Sequence, residues 1–359
     1  MKVTPHRPVT LRDVAKMAGV HPSTASRILS GSRRGDPEAA SRILSAAETL
    51  GYRTNRIARA LRQQSTTTVG MVVPDLENPF FPALVKSIEA ALSREGYALL
   101  LCDAQNDPDV EAERVDALLQ RQVDGLVVCP VHLTRSAETV RTASAQVPTV
   151  QVDRRVGGPT DFAGVDQEMV IALVLEHLRQ LGRTRLAFLT SDDSVYTVAQ
   201  RTDAYRRLTA DDPASRDAVL AGQLTLRWGI EAVSELLATG ERLPDALVCA
   251  NDLIALGAMQ RLRQAGARVP EDVAVTGVDD TAFGQVAEPS LTTVKQPIDQ
   301  LGAEAIGMLM ERVARVRSGG DGLAARTLVL APELLVRHST ARSTASMPTT
   351  GNALAEAGS

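Results

Sequence analysis

At 359 residues, 44% of them hydrophobic, the chain is longer than one ordinary domain and can bury more than one core, so two or three domains are expected. No apolar run reaches transmembrane length, and residues 1–10 lack the apolar centre of an export signal, so a cytoplasmic protein with no membrane partner is the expectation. The net charge of −4 conceals a split that points to phosphate binding at one end: residues 1–64 hold 12 Lys and Arg against 4 Asp and Glu, or +8, and the remainder 27 against 39, or −12.

Thr10-Leu11-Arg12-Asp13 has the spacing of a capping box, and Leu11, Val14, Ala15 and Ala18 then recur at helical intervals until Gly19. Pro22 suits the first position of a second helix that turns Ala25, Ile28 and Leu29 inward. Ser23, Thr24, Ser26 and Arg27 are left on outward or flanking faces, and Gly31 closes the helix. A third helix opens with Asp36 as cap and Pro37 in its first turn, buries Ala40, Ile43, Leu44 and Ala47, and stops at Gly51. Each is too short to be stable alone, but together they can share a core. Helix, short turn and a second helix with a small, hydroxylated outer face is the helix-turn-helix plan, whose second helix enters the major groove; a tight helical hairpin can equally be a packing unit.

Residues 54–61, carrying Arg56 and Arg59 beside Ile57, Ala58 and Leu61, with Arg62 just beyond, read as a weak helix, and 63–68 as a polar linker. From Val69 the pattern changes to apolar runs alternating with amphipathic helices. Buried strands are expected at 69–73, 97–102, 125–129 and 147–152, with helices at 81–94 and 109–122. A second series follows, with strands near 185–190, 246–250 and 273–278 and helices near 170–181, 195–208, 229–238 and 253–264. This alternation implies an α/β fold of two lobes with parallel sheets. Cys102, Cys129 and Cys249 sit in apolar runs without metal-ligand spacing and read as small buried hydrophobes; no metal or cofactor is expected. Residues 341–359, rich in Ser, Thr, Ala and Gly, read as a disordered tail without a leucine heptad.

Several segments, Val9-Thr10-Leu11-Arg12-Asp13-Val14-Ala15, Ser26-Arg27-Ile28-Leu29-Ser30-Gly31, Leu50-Gly51-Tyr52 and Asn55-Arg56-Ile57-Ala58-Arg59-Ala60-Leu61, closely resemble the LacI/GalR family of bacterial transcription regulators. The resemblance implies a helix-turn-helix domain at 1–53, a hinge helix and linker at 54–68, and a periplasmic-binding-protein-like effector and dimerisation domain at 69–340. Its lobes would comprise about 69–165 with 294–326, and 166–293 with 327–340, the chain crossing near 165, 293 and 327. It also implies a homodimer on a palindromic double-stranded operator, with repression the expected outcome. The DNA-contacting set would be Thr10, Pro22, Ser23, Thr24, Ser26 and Arg27, with Asn55, Arg59 and Leu61 from the hinge; Leu61 matches a leucine that wedges into the minor groove.

Ligands of open α/β sheets bind outside the carboxyl ends of the strands. The polar residues expected there are Asp75 to Phe81, Asp166, Asp192-Asp193, Arg201, Asn251-Asp252 and Asp279-Asp280, any of which could instead be a cap or turn residue, Asp252 especially. The resemblance narrows the set to Phe80, Asp166, Arg201, Asn251, Asp279 and Gln296, and implies a small effector, a sugar or a derivative. An arginine among carboxylates and amides can hold sugar hydroxyls by charge-assisted bonds. Two positions depart from the family pattern: Cys129 stands where some sugar binders have a polar residue, and Leu224 where an aromatic often stacks on the ligand. The chain has no phosphate-cradling glycine loop, nucleophile elbow or metal cluster, so catalysis is not expected. A free sugar-binding protein of transport would have the same two lobes, but the basic module and the absence of an export signal argue against it.

Overall fold

The structure, a computed structural model, describes residues 9–29, 36–52, 65–320 and 323–341. Asn55, Arg59, Leu61, the expected hinge helix and nearly all of the expected tail lie outside these residues. The chain forms two compact units, 1–66 and 67–359.

The first unit contains α1 (Leu11–Met17), α2 (Pro22–Leu29) and α3 (Pro37–Thr49). The Asp13 carboxylate accepts from the Thr10 backbone N–H at 2.9 Å and from the Thr10 hydroxyl at 2.7 Å, satisfying donors that the first turn would leave open. Gly19 and Gly51 adopt φ of +64° and +62° just past α1 and α3, the left-handed conformation in which a Cβ is strained. Val14, Ala15, Ala18, Ala25, Ile43, Ala46 and Ala47 form the core. Leu44, expected inside, is 57% exposed. The inward stripe of α3 runs through residues 43, 46, 47 and 50, and Leu44 stands about 100° round from Ile43.

The second unit begins with β1 (Thr68–Val73), α4 (Phe80–Arg94), β2 (Ala98–Asp103), α5 (Pro108–Gln120), β3 (Gly125–Val128), α6 (Ser136–Ser144), β4 (Thr149–Val152) and β5 (Asp161–Val165). A second lobe follows with α7 (Gln167–Gln180), β6 (Leu186–Ser191), α8 (Tyr196–Leu208), α9 (Pro213–Asp217), β7 (Val219–Gly222) and α10 (Leu226–Ala238). It continues through β8 (Ala246–Cys249), α11 (Asp252–Gln264), β9 (Ala274–Val278), α12 (Ala282–Val286) and β10 (Thr292–Lys295). The chain then returns to the first lobe as α13 (Ile298–Arg317) and β11 (Thr327–Leu330), and ends in the second with β12 (Glu333–Leu335). The two six-stranded sheets run β11-β5-β4-β3-β1-β2 and β12-β10-β9-β8-β6-β7. Every pairing is parallel except β10 with β12.

The crossings therefore fall at 165–167, 295–298 and 330–333. Residues 294–295 belong to the second sheet and 327–330 to the first, which shifts two of the lobe boundaries expected from the sequence. Residues 97–102 were expected as a buried strand, but β2 is the edge of its sheet and leaves Leu100 and Leu101 exposed. No helix was expected over 298–317, yet Leu301, Ala305, Leu309 and Val313 recur every fourth residue and pack α13 against α4 and the first sheet. A fully buried Asp161 fastens this return, pairing with Arg312 at 2.6 Å and Arg326 at 3.0 Å. Although burial opposes it, hydrogen bonds from both guanidiniums hold the Asp161 carboxyl down at about 2.

Candidate functional site

A cavity of about 420 Å³ lies between the lobes, over the carboxyl ends of the outer strands. From the first lobe come Asp75 and Asn78 after β1, Gln105 and Asn106 after β2, His132 after β3 and Arg154 after β4. The second lobe supplies Ser191 and Asp192 at the end of β6 and the run 222–225 after β7. Phe81 is its aromatic wall, and the Arg154 guanidinium lies 5.3 Å from that ring's centroid. Carboxylates, amides, hydroxyls, one guanidinium, one imidazole and one phenyl ring are the equipment for binding a small hydroxylated molecule.

The wall is braced from behind. Glu111, fully buried in α5, accepts the Val131 N–H at 2.6 Å, and its other oxygen has no partner. Burial raises its pKa, opposed by that N–H and by Ser136. At the lip the lobes touch: the Leu133 N–H donates to the Ser194 carbonyl at 2.6 Å. Nearby, Arg155 of the first lobe lies over Phe162 and over Tyr196 of the second.

Beside the cavity, where the crossings converge, the strand ends are filled by the protein's own charges. Asp153 after β4 is buried, with Arg154 at 3.7 Å and the Cys129 thiol at 3.7 Å. Arg201 of α8 is buried as well; its Nε donates to Gln167 at 2.7 Å and its Nη1 to the Ala250 carbonyl at 2.6 Å. Arg201 interacts with both Asp279 and Asp153. Burial pushes Asp279 up to about 8, with Arg201 opposing, and raises Asp153, with Arg154 opposing. Gln296 donates to Asp279 at 2.8 Å, while its own Oε1, though buried, has no partner.

Of the six residues expected to hold a ligand, Arg201, Asp279 and Gln296 thus meet in one buried cluster, and Asn251 adjoins it after Ala250. None of the six lines the 420 Å³ cavity. Phe80 sits in the first-lobe core, edge-on to Phe81. Asp166 and Asn251 cap helices, accepting from the Met169 and Ile254 N–H groups. Asp252, expected as a cap, instead accepts from Thr281 and Thr293 inside the second lobe. Asp75, Asn78 and Asp192, read from strand ends alone, do line the cavity, as does Leu224, while the single tryptophan, Trp228, packs on Gly222 outside it. Arg154 was missed, although it follows an expected strand and the same rule would have included it. Cys129 and Cys249 are buried, but Cys102, on the edge strand, is partly exposed. Among the described residues no group of three or more His, Cys, Asp and Glu could hold a metal ion.

In the first unit, Ser23 and Arg27 lie on the exposed face of α2, the Arg27 Nε donating to the Ser23 carbonyl at 3.2 Å. Pro22, Thr24 and Ser26 are half-buried beside them, and Thr10 is occupied in the α1 cap.

Residues 10–55 match the family described as bacterial regulatory proteins, lacI family, and residues 66–328 the family described as periplasmic binding proteins and sugar binding domain of LacI family. The chain is 31% identical over 332 residues to the HTH-type transcriptional repressor PurR of Haemophilus influenzae (strain PittEE), covering 92% of this chain and 98% of that protein. It resembles the structure of the transcriptional regulator CelR–cellobiose complex at 31% identity and a TM-score of 0.68, covering 93% of this chain and 100% of the other. Against the Lac repressor dimer bound to operator and the anti-inducer ONPF, the identity is 25% and the TM-score 0.82, covering 93% and 99%. With a helix-turn-helix unit and a two-lobed α/β body in one polypeptide, each matched along its length, the chain belongs to the LacI family of bacterial transcription regulators.

Proposed function

We propose that this regulator is a repressor that binds a palindromic operator as a homodimer and changes its affinity when a sugar or sugar derivative enters the cleft between its lobes. The observation that carries the effector is the polar 420 Å³ cavity built from strand ends of both lobes, since a ligand there touches both and so distinguishes their relative positions. Its hydroxyl, amide and carboxylate lining beside the Phe81 ring suits a polyol, and a structural relative is described as a cellobiose complex. Arg154, Asn78 and Asp192 make the direct contacts. Arg201, Asn251, Asp279 and Gln296 act from beside the cavity by fixing the strand ends, while Phe80 and Asp166 support the local fold.

The dimer is supported by apolar surface on the second unit: Phe283 and Val286 on α12 are 59% and 81% exposed, and β2 leaves its outer edge unpaired among the described residues. On the DNA side Ser23 and Arg27 face the groove and Thr10, Pro22, Thr24 and Ser26 flank them, with Asn55 and Arg59 contacting the duplex from the hinge and Leu61 as its wedge. Selection of bound duplexes, followed by a calorimetric screen of sugars, tests the reading. Arg154→Ala should weaken the sugar found by roughly 10- to 150-fold, the loss of one charged hydrogen-bond partner. Equal affinity of wild type and variant removes the cleft from the effector site, and binding of one half-site as tight as the palindrome removes the dimeric mode.

A further inference from the structure

Three segments separate the cleft from a second cavity of about 320 Å³, and along each of them successive residues face opposite ways. His132, Arg154 and Val195 line the cleft, whereas Leu133, Arg155 and Tyr196, one residue further on, line the cavity behind it. That cavity lies on the seam between the lobes, because Leu133 and Arg155 belong to the first and Tyr196 opens α8 of the second.

A cation between two rings closes the seam. The Arg155 guanidinium lies 5.0 Å from the ring centroid of Phe162, in β5, and 5.5 Å from that of Tyr196, and the two rings meet edge-on at 5.8 Å. Among the described residues Arg155 has no ion-pair partner, and its hydrogen bond to the Thr327 hydroxyl is long at 3.4 Å, so the rings are what holds it. Phe162 is 3% exposed and lies over Gly164, where a Cβ would stand 2.2 Å from the ring. The first lobe thus offers a fixed ring, and the second a ring that reaches Arg155 only while the lobes are together. Beside them the Leu133 N–H is bonded across the seam to Ser194.

We propose that Arg155, clasped between Phe162 and Tyr196, is a latch that keeps the lobes together without any ligand, and that the cleft opens only when Tyr196 leaves it. Contacts made in one arrangement and lost in the other bias the equilibrium between the two by their own free energy. A ligand that displaces Arg154 or Val195 acts on the latch through a single peptide bond. The consequence for DNA binding rests on the function proposed above, in which lobe position sets operator affinity; the latch itself does not.

Hydrogen exchange of the full-length, ligand-free protein decides it. The Leu133 amide reports opening of the seam, while the Val131 and Ala250 amides, bonded within the first and second lobes to Glu111 and Leu189, report general loosening. Tyr196→Ala and Arg155→Ala should each speed Leu133 exchange by about 2- to 30-fold, the range of a cation–π contact, and leave the other two amides unchanged. Tyr196→Phe keeps the ring and should keep the wild-type protection. Unchanged Leu133 exchange in Tyr196→Ala, or equal acceleration of all three amides, overturns the latch. Tyr196→Ala should also shift the affinity for the palindrome recovered by selection. Faster Leu133 exchange with unchanged DNA affinity would overturn that consequence, and with it the reading that lobe position governs operator binding.

Discussion

The carboxyl ends of the strands do two different jobs in this protein. Toward the outer strands β1, β2, β6 and β7 they stand apart and leave a cavity whose polar lining runs from exposed Gln105, Asn106 and Asp192 to buried Asn78, Arg154 and Ser191. At β4 and β9, beside the crossings, their side chains reach each other, and Asp153, Arg201, Asp279 and Gln296 fill the space. The same topological rule produces both regions. The difference lies in which ends the crossings cover: a covered end must satisfy its polar groups internally, whereas an open one can leave them for a ligand.

Stability measurements should separate the two regions most sharply at Arg201. Removing it strands the buried Gln167 side-chain oxygen and the Ala250 carbonyl that its guanidinium serves, so Arg201→Ala should cost about 1–3 kcal/mol for each of the two acceptors. Gln223→Ala, an exposed change at the open end, should stay within about 0.5 kcal/mol. Urea denaturation of both reads this directly, and comparable losses would erase the distinction.

A proton distinguishes them next. The Asp279 carboxyl is pushed up to about 8, so between its ordinary value near 4 and pH 8 the folded protein holds a proton that the unfolded chain has released. Stability should therefore fall with rising pH across that window because of this group, by at most about 1.4 kcal/mol per pH unit. Asp279→Asn should flatten the fall. Asp161, held at about 2 by its two arginines, works in the opposite sense: its stabilisation is present above pH 4 and is lost as pH drops toward 2, so Asp161→Asn should reduce the acid-side loss. A variant curve parallel to the wild type in either window would show that the group carries its ordinary pKa in the fold.

Much of this architecture was legible in the sequence because it depends on local pattern. The capping box at Thr10, the helix stops at Gly19 and Gly51, and the alternation of strands and helices follow from residue spacing alone. Leu44, β2 and α13 were misread or missed because tertiary context decides them: which stripe faces a neighbour, which strand is an edge, and where a crossing helix docks. At the site, strand-end reasoning reached Asp75, Asn78 and Asp192, which line the cavity. It could not tell open ends from covered ones, because that depends on sheet order and on crossings at 295–298 and 330–333 rather than on any short motif.

The smallest expected effect lies in the wall of the open region, at Glu111. One oxygen accepts the Val131 N–H, the other has no partner, and burial has raised the carboxyl's pKa, so its charge is not what the wall needs. A glutamine keeps an acceptor for Val131 and removes the buried charge. Glu111→Gln should therefore change stability by less than about 1 kcal/mol, whereas Glu111→Ala, which strands the Val131 N–H, should cost about 1–3 kcal/mol. The alanine variant should also loosen the turn that carries His132 into the cavity, speeding exchange of the Val131 amide, while the glutamine variant preserves its protection. If the glutamine proves as damaging as the alanine, the Glu111 charge itself holds the wall, and the open region is then as dependent on a buried ion as the covered one.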